Sequence, residues 1–244
     1  MAKKALVLFS GGKDSFLTAC FCIEQGYEAH LLFCSNGCVA GLENVRHGAE
    51  RLQKMYGGDR AVYEGVCSTA GVASSFRRKL YAMTCEELAG RYPGLNLAQM
   101  NCMTCQSSMW TASVAFCLAH GIGTIFAGYR RTDEFCTGSQ LWTGTVSSFA
   151  RLYDIETEFP AWDKDDWAEH GGHMRDMEMN RRGFVASVLE PKCMLGIPSG
   201  RLSEEGERSC QRCFDDIVLP AFMHEVDRFL PVFRSMSLDD TGFV

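Results

Sequence analysis

Short unbroken apolar runs alternate along this chain with stretches whose apolar residues recur every three or four positions. Residues 5–9, Ala-Leu-Val-Leu-Phe, are the first run, and Phe16, Leu17, Cys20 and Ile23 follow at helical spacing from about Lys13. Residues 29–34 form a second run. Leu42, Val45, Ala49, Leu52 and Met55 then mark an amphipathic helix that ends at Gly57-Gly58. Residues 61–66 predict a third strand, and 76–89 one helix with Leu80, Met83 and Leu88 on its buried face. A helix over 109–120, a fourth strand over 124–127 and a fifth over 152–159 complete the series. Strand and helix in turn predict right-handed crossovers and a doubly wound, mostly parallel α/β sheet covered on both faces. Ligands on such sheets sit beyond the carboxyl ends of the strands, where Ser10 and the segment Phe33, Cys34, Ser35, Asn36 fall.

The pattern changes after Phe159. Residues 162–180 are polar, with Asp163, Asp165 and Asp166 followed by His170 and His173, so a soft boundary is expected near 159–163. This gives a main unit, 1–160, and a C-terminal segment, 161–244, packed on it. His170 and His173 read more readily as surface than as a metal pair, because Gly171-Gly172 separates them. Residues 219–233 are apolar enough to cover either their own domain or a second copy in a homodimer. There is no internal repeat and no low-complexity segment.

Composition adds boundaries. A hydrophobic share of 46% with 22% charge suits a soluble domain with a sizeable core, and no window approaches a membrane span. The net charge of −6 argues against a protein whose main task is to grip nucleic acid. Arg77-Arg78-Lys79, Arg130-Arg131 and Arg181-Arg182 remain as candidate local basic patches, each read more readily as solvated surface. The apolar run behind Met1-Ala2-Lys3-Lys4 is too short for a signal-peptide core, so the chain reads as cytoplasmic. Its 13 cysteines are then expected to be reduced or metal-bound.

The first candidate site is Ser10-Gly11-Gly12-Lys13-Asp14-Ser15, where the first strand ends and the first helix begins. Two glycines allow a tight turn, and a helix N-terminus with a lysine and two hydroxyls makes an anion site suited to phosphate. The Walker frame is absent. Asp14 would repel a phosphate unless a divalent cation lay between them, so Mg²⁺ is expected. The six residues resemble the pattern of the PP-loop ATP pyrophosphatases, the adenine nucleotide alpha hydrolases, and match it throughout. The resemblance implies a Rossmann-like fold of the HUP type, with 1–160 as the nucleotide-binding unit and ATP as cofactor. It implies that Ser10 to Ser15, Phe33 and Ser35 lie at the nucleotide. The family often carries Gly-His-x-x-Asp-Asp after the fourth strand. Here Gly128 and Asp133 match, Tyr129 and Glu134 do not, and Arg130 or Arg131 can meet a phosphate or substrate anion.

Two Cys-x-x-Cys pairs, Cys102/Cys105 and Cys210/Cys213, offer four thiolates, and Cys193 adds a fifth. Cys20, Cys22, Cys34, Cys67, Cys85, Cys117 and Cys136 sit mostly among core residues and read as small hydrophobes. The family resemblance implies two arrangements. In its sulfur-inserting branch a pair placed like Cys102 and Cys105, just before the helix preceding the fourth strand, joins a distal cysteine on a [4Fe–4S] cluster with one open iron. In 7-cyano-7-deazaguanine synthase a C-terminal zinc knot resembles Cys193, Cys210 and Cys213, with Asp216 where its fourth cysteine would be. A closed Zn²⁺ site is structural, an open cluster chemical, and persulfide chemistry or plain thiols complete the alternatives.

The resemblance implies that ATP is split between its α and β phosphates. An acceptor carbonyl or carboxylate becomes an adenylate, with Lys13 and Asp14 at the reacting phosphates. Sulfur then displaces AMP, with Cys102 and Cys105 as carriers and a sulfur-donor protein as partner. The acceptor is expected to be a nucleobase or another small molecule, with tRNA left open. Trp110, Trp142, Tyr129 and Phe135 can stack a planar base, although each also reads as core. The alternatives are a ligase like 7-cyano-7-deazaguanine synthase, forming an amide or nitrile, and a non-catalytic ATP sensor.

Overall fold

The structure is a computed structural model that describes residues 2–37, 39–40, 42–133, 137–162, 164, 173–182, 192–193 and 202–235. Strand β1 (Lys3–Leu8) is the middle of a five-stranded sheet. On one side lie β2 (Tyr27–Ser35) and β4 (Ala61–Ser68), and on the other β5 (Thr124–Ala127) and β6 (Glu156–Glu158). Every pairing in this sheet is parallel. The chain winds outward from β1 through β2 to β4, then crosses back to β5. Its direction therefore reverses between β1 and β5, and crossovers that diverge there leave a crevice at the carboxyl ends.

Alternation along β1 divides the core in two. Ala5, Val7 and Phe9 pack beneath α1 (Lys13–Glu24) and α2 (Leu42–Tyr56). Leu6 and Leu8 face the larger core, shared by α3 (Ala70–Tyr81), α5 (Leu97–His120) and α6 (Gln140–Arg151). Being buried on both faces is what makes these strands read as unbroken apolar runs. A bulge interrupts the β2–β4 register beside Leu31/Leu32, and there Glu64 reaches His30 Nδ1 at 2.6 Å.

The helix expected over 76–89 is two helices, α3 and α4 (Cys85–Arg91). Thr84 breaks it by capping α4: its Oγ1 accepts from Glu87 N at 3.1 Å, and Glu87 Oε2 accepts from Thr84 N at 2.7 Å. Thr84→Ala is expected to cost about 1 kcal/mol, read as a lower urea midpoint at unchanged slope.

A second capping box, between Asn96 and Gln99, starts α5 twelve residues earlier than expected, at Leu97 instead of Met109. The expected strand over 152–159 pairs only at 156–158, because residues 152–155 turn out of the unforeseen α6.

The C-terminal segment contributes α7 (His173–Arg181), α8 (Glu204–Cys213), a π-helical turn (Phe214–Val218) and α9 (Leu219–Ser235). Strand β7 (Lys192–Cys193) pairs antiparallel with β3 (Val39–Ala40), which follows β2. Phe222 of α9 stacks on Phe149 with ring centroids 4.3 Å apart and meets Phe76 edge-on, while Phe233 meets Phe116. The apolar stretch 219–233 thus covers its own domain. Asp163, Asp165, Asp166 and His170 lie outside the described residues, as does the His173 side chain. No helix among the described residues is long and apolar enough to cross a membrane.

Candidate functional site

The loop Ser10–Ser15 spans the end of β1 and the first turn of α1, on the crevice between β1 and β5. Internal hydrogen bonds shape it. Ser10 N donates to Ser15 Oγ at 3.2 Å, Gly12 N to Ser10 Oγ at 3.3 Å, and Ser15 Oγ to Gly12 O at 3.0 Å. Gly12 is the N-cap of α1 and no side chain caps the helix, so its first-turn N–H groups and the positive end of its dipole face the crevice. Two glycines are required by packing. Gly11 has φ +74°, and a Cβ there would lie 2.7 Å from Val45 Cα and 2.8 Å from Asn44 O. A Cβ on Gly128, just past β5, would lie 2.9 Å from the carbonyl of Asp14.

Charges alternate around the loop. Asp14 lies 3.2 Å from Arg130 Nε and 3.2 Å from Arg175 Nη1, which donates to both of its carboxylate oxygens. Arg130 also reaches Asp133 Oδ1 at 2.6 Å, and its backbone N–H donates to Asp133 Oδ2 at 3.2 Å. Lys13 Nζ pairs with Asp176 at 3.2 Å. Burial pushes the Asp14 carboxyl above its usual range, while Arg130 and Arg175 pull it back. Arg175 and Asp176, both from α7, have no local signal in the sequence. Arg175 meets its partner across 161 residues.

The other expected nucleotide contacts differ in kind. The Phe33 side chain is buried in the core beneath α1 and α2, so only its backbone can face the crevice. Ser35 ends β2, its Oγ accepting from Gly37 N and its carbonyl from Thr69 N at 2.7 Å. Arg131 is exposed, whereas Glu134 and Phe135 lie outside the described residues. The other aromatic candidates are core. Trp110 Nε1 donates to Tyr129 Oη at 2.8 Å, Tyr129 Oη donates to Gln106 at 2.6 Å, and Trp142 is fully covered.

Cys102 and Cys105 lie inside α5, three residues apart, and not before the helix as expected. Asn36, buried just past β2, donates its side-chain amide to Cys105 Sγ. The β3–β7 pair sets the backbone of Cys193 opposite Val39, three residues beyond Asn36, and the Cys193 side chain is outside the described residues. Cys210 and Cys213 are turned into the core from α8, and burial pushes both thiols up to about 12. Cys210 Sγ lies 4.0 Å from Met103 Sδ. Asp216, the stand-in for a fourth zinc ligand, accepts from Arg91 at 3.1 Å and Tyr92 at 3.3 Å. Among the described residues no three His, Cys, Asp or Glu side chains converge as a metal site. Of the other cysteines, Cys20, Cys22, Cys34, Cys67 and Cys117 are buried, Cys85 is exposed, and Cys136 lies outside the described residues.

The strand order, the reversal at β1 and the loop seated there define a Rossmann-like, doubly wound α/β fold. The chain is similar to a 4-thiouridine synthetase solved with RNA and bound ATP, with a TM-score of 0.63 and 11% identity. The match covers 94% of this chain and 53% of that one, so the chain spans about half the length of that enzyme. A predicted subunit of a tRNA methyltransferase from Methanocaldococcus jannaschii gives a TM-score of 0.43 at 17% identity, over 83% of this chain and 99% of that one. No protein-family model and no curated protein matches the sequence. The likeness is one of fold.

Proposed function

We propose that the chain binds ATP as its magnesium complex at Ser10–Ser15, splits it between the α and β phosphates, and uses the adenylate to place sulfur on a nucleobase, free or within RNA. The observation that carries this reading is the uncapped N-terminus of α1, set with Lys13 on the crevice between β1 and β5. Likeness in fold to a synthetase solved with ATP and RNA supports it.

An acceptor carbonyl oxygen attacks the α phosphorus, and the bond to the β-phosphate oxygen breaks. Lys13 and the first-turn N–H groups of α1 stabilise the charge that collects on the departing pyrophosphate. Asp14 and Asp133, both held by one Arg130 guanidinium, are oxygen donors of the kind a hard cation takes and would hold Mg²⁺, which neutralises phosphate charge when bound. Hydrosulfide, sulfur already at the sulfide level, then attacks the activated carbon, its S–H proton is lost, and AMP leaves with the former carbonyl oxygen.

Cys102 and Cys105 share one stretch of α5, and the β3–β7 pairing brings the Cys193 backbone to the segment whose Asn36 holds Cys105. Cys102 and Cys105, with a distal cysteine such as Cys193, would be the thiolates that hold a [4Fe–4S] cluster, which would supply the sulfur chemistry when bound. Cys210 and Cys213 fit a zinc knot poorly, because both are packed into the core and Asp216 is engaged elsewhere.

The test is anaerobic purification with iron, labile-sulfide and zinc analysis. Iron is expected, to be lost in Cys102→Ala and Cys105→Ala and kept in Cys210→Ala. One tightly bound zinc without iron would instead favour the ligase reading. With MgATP and an RNA or free-base acceptor, pyrophosphate release should match thiolated base counted by mass spectrometry. Binding of ATP without release from any acceptor would leave the sensor.

A further inference from the structure

We propose that Arg175 is a phosphate-binding residue of this same site, a third cation that grips the β and γ phosphates beside Lys13 and Arg130. The inference rests on the ATP reading of the loop. Arg175 comes from α7 and is almost covered, its side chain 14% exposed, yet it is only partly satisfied. Its Nη1 reaches both oxygens of Asp14 at 3.2 Å, while its Nε is shut off from solvent with no hydrogen-bond acceptor among the described residues. Arg130 Nε, on the same carboxylate, is also shut off from solvent and lies 3.2 Å from Asp14 Oδ2. One guanidinium N–H, that of Arg175 Nε, thus stands without a hydrogen-bond acceptor beside an uncapped helix N-terminus, the Asp176 carboxylate lying 4.0 Å away. Leaving buried donors unmet is costly, and phosphate oxygens are acceptors that fit guanidinium donors well.

A purely structural ion pair would fasten α7 to α1, but other residues already do that. Met179 is buried in the core beneath α1 and α2. Arg182 donates to Glu24 at 2.8 Å and 3.0 Å and lies over the Phe21 ring at 5.3 Å. The helix is therefore pinned at its far end without Arg175. Asp14 holds the guanidinium at the mouth of the loop, and the neighbouring Asp176 does the same for the Lys13 ammonium. Both cations are parked on carboxylates next to where phosphate would enter.

The experiment is calorimetric titration of the full chain with MgATP, magnesium pyrophosphate and AMP. Arg175→Ala is expected to weaken MgATP and pyrophosphate about ten- to a hundredfold while AMP changes less than about twofold. Arg175→Lys should recover part of the loss, because it restores charge without the planar fork. Equal weakening of all three ligands, or of none, would make Arg175 structural and overturn the proposal. Should Arg175→Ala fail to fold, the same comparison is decisive in Arg175→Lys, whose loss must again fall on MgATP and pyrophosphate and spare AMP. Wild-type protein that takes neither MgATP nor pyrophosphate would sink the ATP reading itself, and this inference with it.

Discussion

Lys13→Ala is expected to slow ATP-dependent pyrophosphate release about a hundred- to a thousandfold and to leave the fold nearly unchanged. The kinetic loss follows from where the ammonium sits. It stands in the first turn of α1, at the uncapped helix end, where charge on a departing pyrophosphate would gather. Removing one aimed donor from such a place commonly costs about a hundred- to a thousandfold in rate. The fold is insensitive because the ion pair Lys13 makes among the described residues is with Asp176, whose side chain is 44% exposed, and exposed pairs contribute at most about 1 kcal/mol. Steady-state pyrophosphate release and a thermal melt together decide the matter. A rate within about threefold of wild type would remove Lys13 from the reaction.

Gly11→Ala should act in the opposite way, through stability first. Its positive φ costs an alanine about 1 kcal/mol, and a Cβ at 2.7–2.8 Å from the backbone of Asn44 and Val45 forces α2 away from the loop. Backbone atoms cannot swing aside as a flexible side chain would. Together these put the loss at about 2–4 kcal/mol, measurable as a urea midpoint shift at unchanged slope. A loss under about 0.5 kcal/mol would mean that α2 does not press on the loop as it does here.

The parts of the fold legible in the sequence are those in which one local pattern decides the outcome. β1 and β2 are buried on both faces, so their apolar runs are unbroken, and the loop lies where a strand pattern gives way to a helix pattern. The missed boundaries had signals of a finer grain. Thr84 with Glu87, and Asn96 with Gln99, are capping boxes readable from spacing, yet the apolar pattern running through them dominated. That is why Cys102 and Cys105 were expected before a helix and lie within one. β6 is short and carries Glu156 and Glu158, so its pattern was swamped by the apolar residues of the turn before it. Arg175 was illegible for another reason: the polar stretch around it looks like solvated surface, and only the folded chain brings it to Asp14. Tyr129, read as a departure from the family pattern, is engaged with Trp110 and Gln106 and belongs to the packing beneath α5.

The central strand draws its two neighbours from very different distances along the chain. β2 begins at Tyr27, but β5 arrives only at Thr124. On a ribosome, then, the edge of β1 that will pair with β5 has no partner until Ala127 has left the exit tunnel. An apolar edge held open that long can template pairing with another nascent chain, and closing so distant a contact is slow. The strand that carries the loop thus waits through the synthesis of α1 to α5 for its second neighbour, so nascent-chain chaperoning bears on residues 3–8.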